Sequence, residues 1–259
     1  MENIQQPTFN IHRPTAEPAT EPAKPWNVEH STLNVECSHW YLLHSGTGAA
    51  TFNMALDEAL LEAMPRLQQP VLRFYGWKQP AATFGYFQKY AEVAQTTLLR
   101  PLIRRPTGGG IVPHDADWTY SLAFPPGHEW HSLRAEESYR HAHAWIQAAF
   151  ARLKVETELA PGCKKSAPGQ CFVGHEKFDL LWHGQKIAGA AQRRNKLGLL
   201  IQGSVQPPPI GLRRVDWEQA MVAAAEGSWS EFSPDAALLE RAESLAANKY
   251  SQKTFLEQR

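Results

Sequence analysis

The segment Arg104-Arg105-Pro106-Thr107-Gly108-Gly109-Gly110-Ile111-Val112-Pro113-His114-Asp115 decides how the rest of the chain is read. Three successive glycines between strands are costly to order, so their physical justification is a positive φ or a backbone that approaches a ligand closely. A plain tight turn is the alternative. The run lacks the Lys-Ser/Thr ending of a phosphate-binding P-loop, and Gly46-Thr47-Gly48 has Thr51 where a dinucleotide fingerprint needs a third glycine. Neither nucleotide-binding fold is supported. His114 and Asp115 offer a base and its orienting carboxylate, but neighbours on a strand point to opposite faces, which favours a structural role in holding the glycine loop.

Working outward, Leu102-Ile103-Arg104 before the loop and Thr119 to Phe124 after it read as a strand pair, closed by Pro125-Pro126-Gly127. Upstream, Val71 to Tyr75 and Thr83 to Phe87 read as two strands joined by a turn at Gly76 and Pro80. Thr51 to Met64 predicts a helix capped by Thr51 and stopped by Pro65, with Asp57, Glu58 and Glu62 on its wet side. Downstream, residues 134–153 place Tyr139, Ala142, Trp145, Ile146, Ala149, Phe150 and Leu153 on one helical face. Lys177 to His183 and Lys186 to Ala191 flank Gly184-Gln185 as a hairpin, Leu197 to Val205 adds a strand, and helical patterns recur near 216–225 and 234–248. Strands and helices interleave without regular βαβ spacing, which predicts an α/β (α+β) domain with a mixed, largely antiparallel sheet flanked by helices.

The 259 residues are 43% hydrophobic and 20% charged, with 26 Lys+Arg against 26 Asp+Glu. One large catalytic-sized domain over 37–259 fits, preceded by a disordered tail over 1–36 rich in Pro7, Pro14, Pro18, Pro22 and Pro25. A formal net charge of zero argues against nucleic acid or an anionic membrane as partner. No apolar run reaches the roughly 20 residues of a spanning helix, and the opening Met-Glu-Asn-Ile-Gln-Gln lacks the order of a secretory signal. Three cysteines, Cys37, Cys163 and Cys171, are too few and too odd for a disulfide framework, so a cytoplasmic setting is expected.

Cys171 lies in a polar, glycine-flanked loop and not on an apolar stripe. A nucleophilic cysteine needs a cation or a helix N-terminus to favour its thiolate, and Lys186, at the start of the second hairpin strand, is placed to return its ammonium toward that loop. An inert core cysteine and a solvated lysine are the plain readings of the same residues. Cys163, Cys171, His175 and His183 lack any standard zinc spacing, so no metal is expected, and no Gly-x-Ser-x-Gly elbow supports a serine hydrolase.

Four ordered motifs then resemble one family. They are Asn53-Met54-Ala55-Leu56-Asp57-Glu58-Ala59; Gly85-Tyr86-Phe87-Gln88; Arg105-Pro106-Thr107-Gly108-Gly109-Gly110 with His114-Asp115; and Lys186-Ile187-Ala188-Gly189-Ala190-Ala191-Gln192-Arg193-Arg194 followed by Gln202-Gly203-Ser204. Together, over about residues 40–250, they resemble the biotin/lipoate A/B protein ligase family, and within it the cysteine/lysine octanoyltransferases. Cys171-Phe172 and Lys186 fall on the positions of that pair. The resemblance implies the family's catalytic-domain fold and octanoyl transfer from acyl carrier protein to a lysine of a lipoyl domain, on the glycine cleavage H protein or a 2-oxoacid dehydrogenase subunit.

It also implies catalytic Cys171 and Lys186, no cofactor, a monomer, and substrate contacts from Arg105, Thr107, Gly108, Gly109, Gly110, His114, Tyr86, Gly189 and Ala190. Phe84, Tyr86 and Ile111 are expected beside the glycines in an acyl slot, and Arg104, Arg105, Arg193 and Arg194 are candidates for meeting acidic carrier proteins. The ATP-using ligases of the family have a Gly-Asn pair after the His-Asp and an accessory C-terminal domain. Here Asp117-Trp118-Thr119 follows, and only 55 residues lie beyond Ser204, which favours the transferase. The glycine triplet itself is the ligase-like form. An amidotransferase between lipoyl domains and an ATP-dependent lipoate ligase are the alternative activities, and a catalytically silent acyl-binding protein is the non-enzymatic one.

Overall fold

In a computed structural model of the protein, residues 39–164 and 174–258 are described. In chain order they form β1 (His39–Gly48), α1 (Ala50–Leu67), β2 (Val71–Trp77), β3 (Ala81–Phe84), α2 (Tyr90–Thr96), β4 (Leu102–Arg104), β5 (Val112–His114) and β6 (Trp118–Phe124). Then come α3 (Glu129–Ser132), α4 (Ala135–Arg152), β7 (Glu158–Leu159), β8 (Leu180–Trp182), β9 (Gln185–Asn195) and β10 (Gly198–Val205). The chain continues through α5 (Arg214–Ala224), β11 (Ser228–Glu231), α6 (Ala236–Leu245), a π-helical turn (Ala246–Tyr250) and α7 (Lys253–Leu256).

Eight strands make one sheet in the order β11-β1-β2-β6-β10-β9-β8-β7, and β4-β3-β5 make a second, smaller sheet. Pairing in the large sheet is antiparallel from β2 through β7; β1 is parallel to both β2 and β11. The mixed, largely antiparallel sheet expected from the sequence is therefore present, while the expected pairings differ. β2 and β3 lie in different sheets, and so do β4 and β6. Neither set of strands forms a hairpin, because the short β5 takes the place beside β3 that sequence reading gave to neighbours in the chain.

The central strands bury both faces. On one, Leu72, Phe74, Tyr120, Leu122, Phe124, Leu199 and Ile201 pack with Trp145, Ile146, Ala149 and Phe150 of α4 and Trp217 and Met221 of α5. Each large apolar side chain so buried contributes about 1.5–3 kcal/mol. On the other, register aligns Arg73 with Ser121 and Gln202, and Tyr75 with Thr119 and Ser204. These polar positions would face water in a one-sided sheet; here they are buried.

Helix α1 lies on that polar face, and three sequence expectations about it fail. It starts at Ala50 with Ala49 in the N-cap position, so Thr51 lies inside the helix and does not cap it. It runs past Pro65 to Leu67, because a proline in the last turn forfeits few hydrogen bonds, and Gln68 then caps it in the left-handed region. Asp57 and Glu58 are buried, not on a wet side, because the sheet and the C-terminal helices supply charged partners on both flanks. Glu58 meets Lys249 Nζ at 2.6 Å, the Tyr250 hydroxyl at 2.7 Å and Arg193 Nη1 at 3.1 Å. Burial alone would raise its carboxyl, but the hydrogen bond and charge of Lys249, with Tyr250 and Arg193, hold it below the usual carboxylate range.

Candidate active site

The β8–β9 hairpin turns at His183 and Gly184, both at positive φ (48° and 71°), as a two-residue connection with the twist of its strands requires. That turn starts β9 one residue before Lys186 and carries its side chain inward. Lys186 Nζ lies 2.7 Å from Asp179 Oδ2, with both side chains buried. The amide of Glu176 donates to the same Asp179 oxygen at 2.7 Å, and the Tyr139 hydroxyl of α4 donates to the other. Burial first, then the Asp179 charge, raises the Tyr139 hydroxyl well above its ordinary range, so it remains a proton donor. Gly189 makes room: a Cβ there would come within 2.7 Å of both Lys186 Nζ and Cε.

Lys186 lines a cleft enclosing about 470 Å³, open mouth included, on the polar face of the large sheet. Gly189, Ala190, Ala191, Gln202, Gly203 and Ser204 form one wall, and Met54, Tyr75 and Thr119 continue it. Thr83, Arg105, Gly109, Val112 and His114 close it from the small sheet and the glycine loop. That size and mixed lining suit a small ligand with an apolar body and a polar end.

Two further carboxylates organise the cleft. Asp57 accepts from Arg73 Nη1 (2.6 Å), Ser121 Oγ (2.7 Å), Gln202 Nε2 (2.7 Å) and the Tyr75 hydroxyl (3.1 Å). Gln202 Oε1 in turn accepts from Thr107 Oγ1 at 2.7 Å, so the core of α1 is tied to the glycine loop through one amide. Asp117 Oδ2 accepts from His114 Nδ1 (2.8 Å), Ser204 Oγ (2.7 Å) and Thr119 Oγ1 (3.0 Å). A carboxylate only accepts, so the His114 proton sits on Nδ1 and Nε2 takes the Thr83 hydroxyl at 2.8 Å. Trp77 stacks on the imidazole at 3.9 Å. His114 is paired with Asp117, three residues on, and not with the adjacent Asp115, and its partners lie on β3, β2 and the β5–β6 connection.

The glycine loop is tightly packed at Gly109, whose added Cβ would lie 2.7 Å from Arg105 Nη2, and open at Gly108. Gly109 has φ +83°, and a Cβ on Gly85 would lie 1.9 Å from the Gly109 carbonyl oxygen. The Tyr86 amide donates to Thr107 O at 2.8 Å. Of the expected contact residues, Arg105, Gly109, His114, Lys186, Gly189 and Ala190 line the cleft. Among the described residues Thr107, Gly108, Gly110 and Tyr86 stand outside that lining. Cys171, the expected nucleophile, lies outside the described residues.

Two expectations are corrected. Phe84 and Ile111 do not line the slot; alternation on β3 turns Thr83 to the cleft and Phe84 into the small sheet's own core with Val93 and Leu102. The four arginines do not form a docking patch. Arg104 and Arg105 are buried, with Arg104 holding the carbonyls of Gln88, Phe255 and Leu256, while Arg193 pairs with Glu58 and Arg194 caps carbonyls of α3.

Among the described residues no cluster of three His, Cys, Asp or Glu is gathered to hold a metal ion, and no helix is long and apolar enough to cross a membrane. Asp57, Asp117, Asp179 and Tyr139 were missed as site residues. The signal was there for one of them, since Asp57 follows Asn53 by one helical turn; Gln202 and Ser204, which donate to Asp57 and Asp117, also stand out as polar at alternate positions of an otherwise apolar strand.

This fold is shared with solved lipoate-protein ligases. A solved lipoate-protein ligase A bound with ATP superposes with a TM-score of 0.69 at 20% identity, covering 85% of this chain and 98% of that one. The bi-partite lipoate protein ligase of Thermoplasma acidophilum gives 0.64 at 17% identity, covering 85% and 96%. Residues 49–206 match the lipoyl protein ligase A/B catalytic domain, and the chain belongs to that family. Curated relatives include octanoyltransferase LipM of Anoxybacillus flavithermus, 36% identical over 180 residues, and that of Bacillus subtilis, 33% identical over 179. Each match covers 64% of this chain and 64% of the relative, so the shared region is less than two thirds of those proteins.

Proposed function

We propose that the protein is an octanoyltransferase of protein lipoylation, moving an octanoyl group from acyl carrier protein to a lysine of a lipoyl domain through Cys171. The buried Lys186 ammonium in the cleft wall carries this reading, because a fixed cation at an apolar slot favours both a thiolate and a developing oxyanion. The named activity of the LipM relatives supports the acyl group.

The chemistry balances without ATP. The Cys171 thiolate attacks the thioester carbonyl; the carrier's thiolate leaves and takes a proton from the Lys186 ammonium. The acceptor lysine, as free amine, then attacks the Cys171 thioester. An amide forms, the C–S bond breaks to restore the thiolate, and the amine's proton returns to Lys186. The apolar part of the cleft would bind the alkyl chain, at about 0.8 kcal/mol per buried methylene.

We assign the catalytic unit to 37–259, acting as a monomer in the cytoplasm, where a reducing setting keeps the thiol available.

The deciding experiment incubates the protein with octanoyl carrier protein and measures intact mass. A hydroxylamine-sensitive octanoyl adduct, absent in Cys171→Ala, is expected. No adduct on the wild type, or one that survives the substitution, rejects the cysteine pathway. Offering an octanoylated lipoyl domain, or free lipoate with ATP, as rival donors to one apo lipoyl domain separates the amidotransferase and ligase activities.

A further inference from the structure

Lys186 is held from the side away from the cleft. Lys186 lines the cleft, whereas Asp179 and Tyr139, which hold its ammonium, do not. Asp179 cannot swing: Tyr139 occupies Oδ1, and the Glu176 amide together with Lys186 occupies Oδ2. The Glu176–Asp179 turn is itself closed by the Asp179 amide donating to Glu176 O at 3.1 Å. Among the described residues, the titratable groups that face this pair come from two elements. From α4 come Tyr139 and His143, whose Nδ1 lies 3.0 Å from Tyr139 O, and from β6 comes the Tyr120 hydroxyl. Tyr120 and His143 are uncharged: burial pushes the Tyr120 hydroxyl up and the His143 imidazole down to about 4. Asp179 is thus the anion that sets the charge of Lys186 among the groups described.

A buried ion pair adds little net stability compared with well-packed apolar residues, so stability alone does not account for placing one in a cleft wall. A lysine this buried would, without an anion, tend to lose its proton. Resting on the transfer reaction set out above, we propose that Asp179, oriented by the Tyr139 hydroxyl, is a positioning residue. It fixes the Lys186 ammonium toward the cleft and keeps it protonated until the leaving thiolate takes the proton. Neither residue touches the acyl group.

The reaction needs Lys186 charged, and removing a neighbouring anion disfavours the charged form of a cation, so activity is then lost at lower pH. In octanoyl transfer from carrier protein to an apo lipoyl domain, Asp179→Asn is expected to lower kcat at least about tenfold near pH 7.5, to leave KM for the acceptor within about threefold, and to move the alkaline limb down by about one unit or more. Tyr139→Phe is expected to move both in the same direction by less, and Asp179→Glu to recover part of the limb.

A readout without turnover accompanies it: competitive acetylation of Lys186 by acetic anhydride across pH, followed by peptide mass mapping. Lys186 should become reactive at lower pH in Asp179→Asn and Tyr139→Phe than in the wild type. If the wild type transfers nothing, the assigned function fails, while the labelling still decides this point. Folded variants with an unmoved limb and unmoved Lys186 reactivity overturn the proposal. Should Asp179→Asn not fold, Tyr139→Phe, which removes one hydroxyl, carries the test alone.

Discussion

Gly189→Ala separates stability from function at the cleft wall. Gly189 sits in β9 without a left-handed backbone, so alanine is conformationally acceptable there. Replacing glycine by alanine at a compatible site gains about 0.4–1 kcal/mol by restricting the unfolded chain. The new Cβ would, however, stand 2.7 Å from Lys186 Nζ and Cε and 3.3 Å from Asp179 Oδ1. Ordinary contact starts at 3.4 Å, so the end of the lysine must retreat by about 0.7 Å, either off its 2.7 Å bond to Asp179 or out of the cleft wall. A flexible side-chain tip moves cheaply, and weakening the ion pair offsets the entropic gain. The net change should lie within about 1–2 kcal/mol, with Tm moving by no more than roughly 4–8 °C for a domain of this size. Catalysis has no such tolerance, since misplacing a reacting group by about 1 Å costs up to about a hundredfold. Scanning calorimetry with single-turnover acyl transfer should therefore show near-native Tm and a rate down roughly 10- to 100-fold. A native rate, or a Tm loss well beyond that range, would refute the claim that Gly189 exists to seat Lys186.

Gly85→Ala should behave in the opposite way, losing both stability and activity, because its Cβ would stand 1.9 Å from the Gly109 carbonyl oxygen and backbone cannot step aside. Gly108→Ala meets nothing within 4 Å, so its Tm should hold; a large rate loss there would mark close approach of substrate, and a native rate a mere turn. Arg73→Met strands the Asp57 carboxylate and should cost about 3–5 kcal/mol by urea unfolding, whereas adding Asp57→Leu should recover part of it; equal losses in the single and double variants would contradict the buried-pair argument. Burial depresses the His143 imidazole to about 4, so between its unfolded value near 6.5 and 4 the unfolded chain takes up a proton that the folded one refuses. The stability from this group is thus fully present above about pH 6.5 and falls by about 3 kcal/mol on approaching pH 4, and urea titrations of His143→Gln should lack that share of the slope.

How much of this was legible in the sequence depends on what kind of signal each residue carried. Helix α4 and strand β10 were readable because apolar spacing alone decides them. Lys186 stood out by its glycine- and alanine-rich neighbours, and they do mark a close approach, the lysine's own side chain against Gly189. Asp57 and Glu58 misled because a charged residue on a helix normally means a wet face, and nothing local says that Arg73, from the next strand, and Lys249, almost 200 residues away, will bury and neutralise them. Strand pairing misled for a similar reason. β3 and β5 are three to four residues long, below the length at which pattern is informative, and their partnership depends on where the glycine loop folds back. Asp179 carried no signal at all, since its role exists only once α4 brings Tyr139 beside it.

Asp57, Asp117 and Asp179 sit on a helix, a loop and a turn, yet each receives at least three donors, and at least one donor from each set lines the same cleft. Those donors are Gln202 and Tyr75 for Asp57, His114 with Thr119 and Ser204 for Asp117, and Lys186 for Asp179. A carboxylate in water would exchange such partners freely; a buried one cannot release a donor without leaving its charge less satisfied, at several kcal/mol, and Asp117, whose Oδ1 is buried without a partner among the described residues, has none to spare. Their effect is therefore positional more than stabilising. Each anion fixes the rotamer of a side chain that lines the cleft, and the three together set its polar lining before any substrate arrives. That is the preorganisation the proposed acyl transfer would require, because donors that need no reorientation act on a developing charge at full strength.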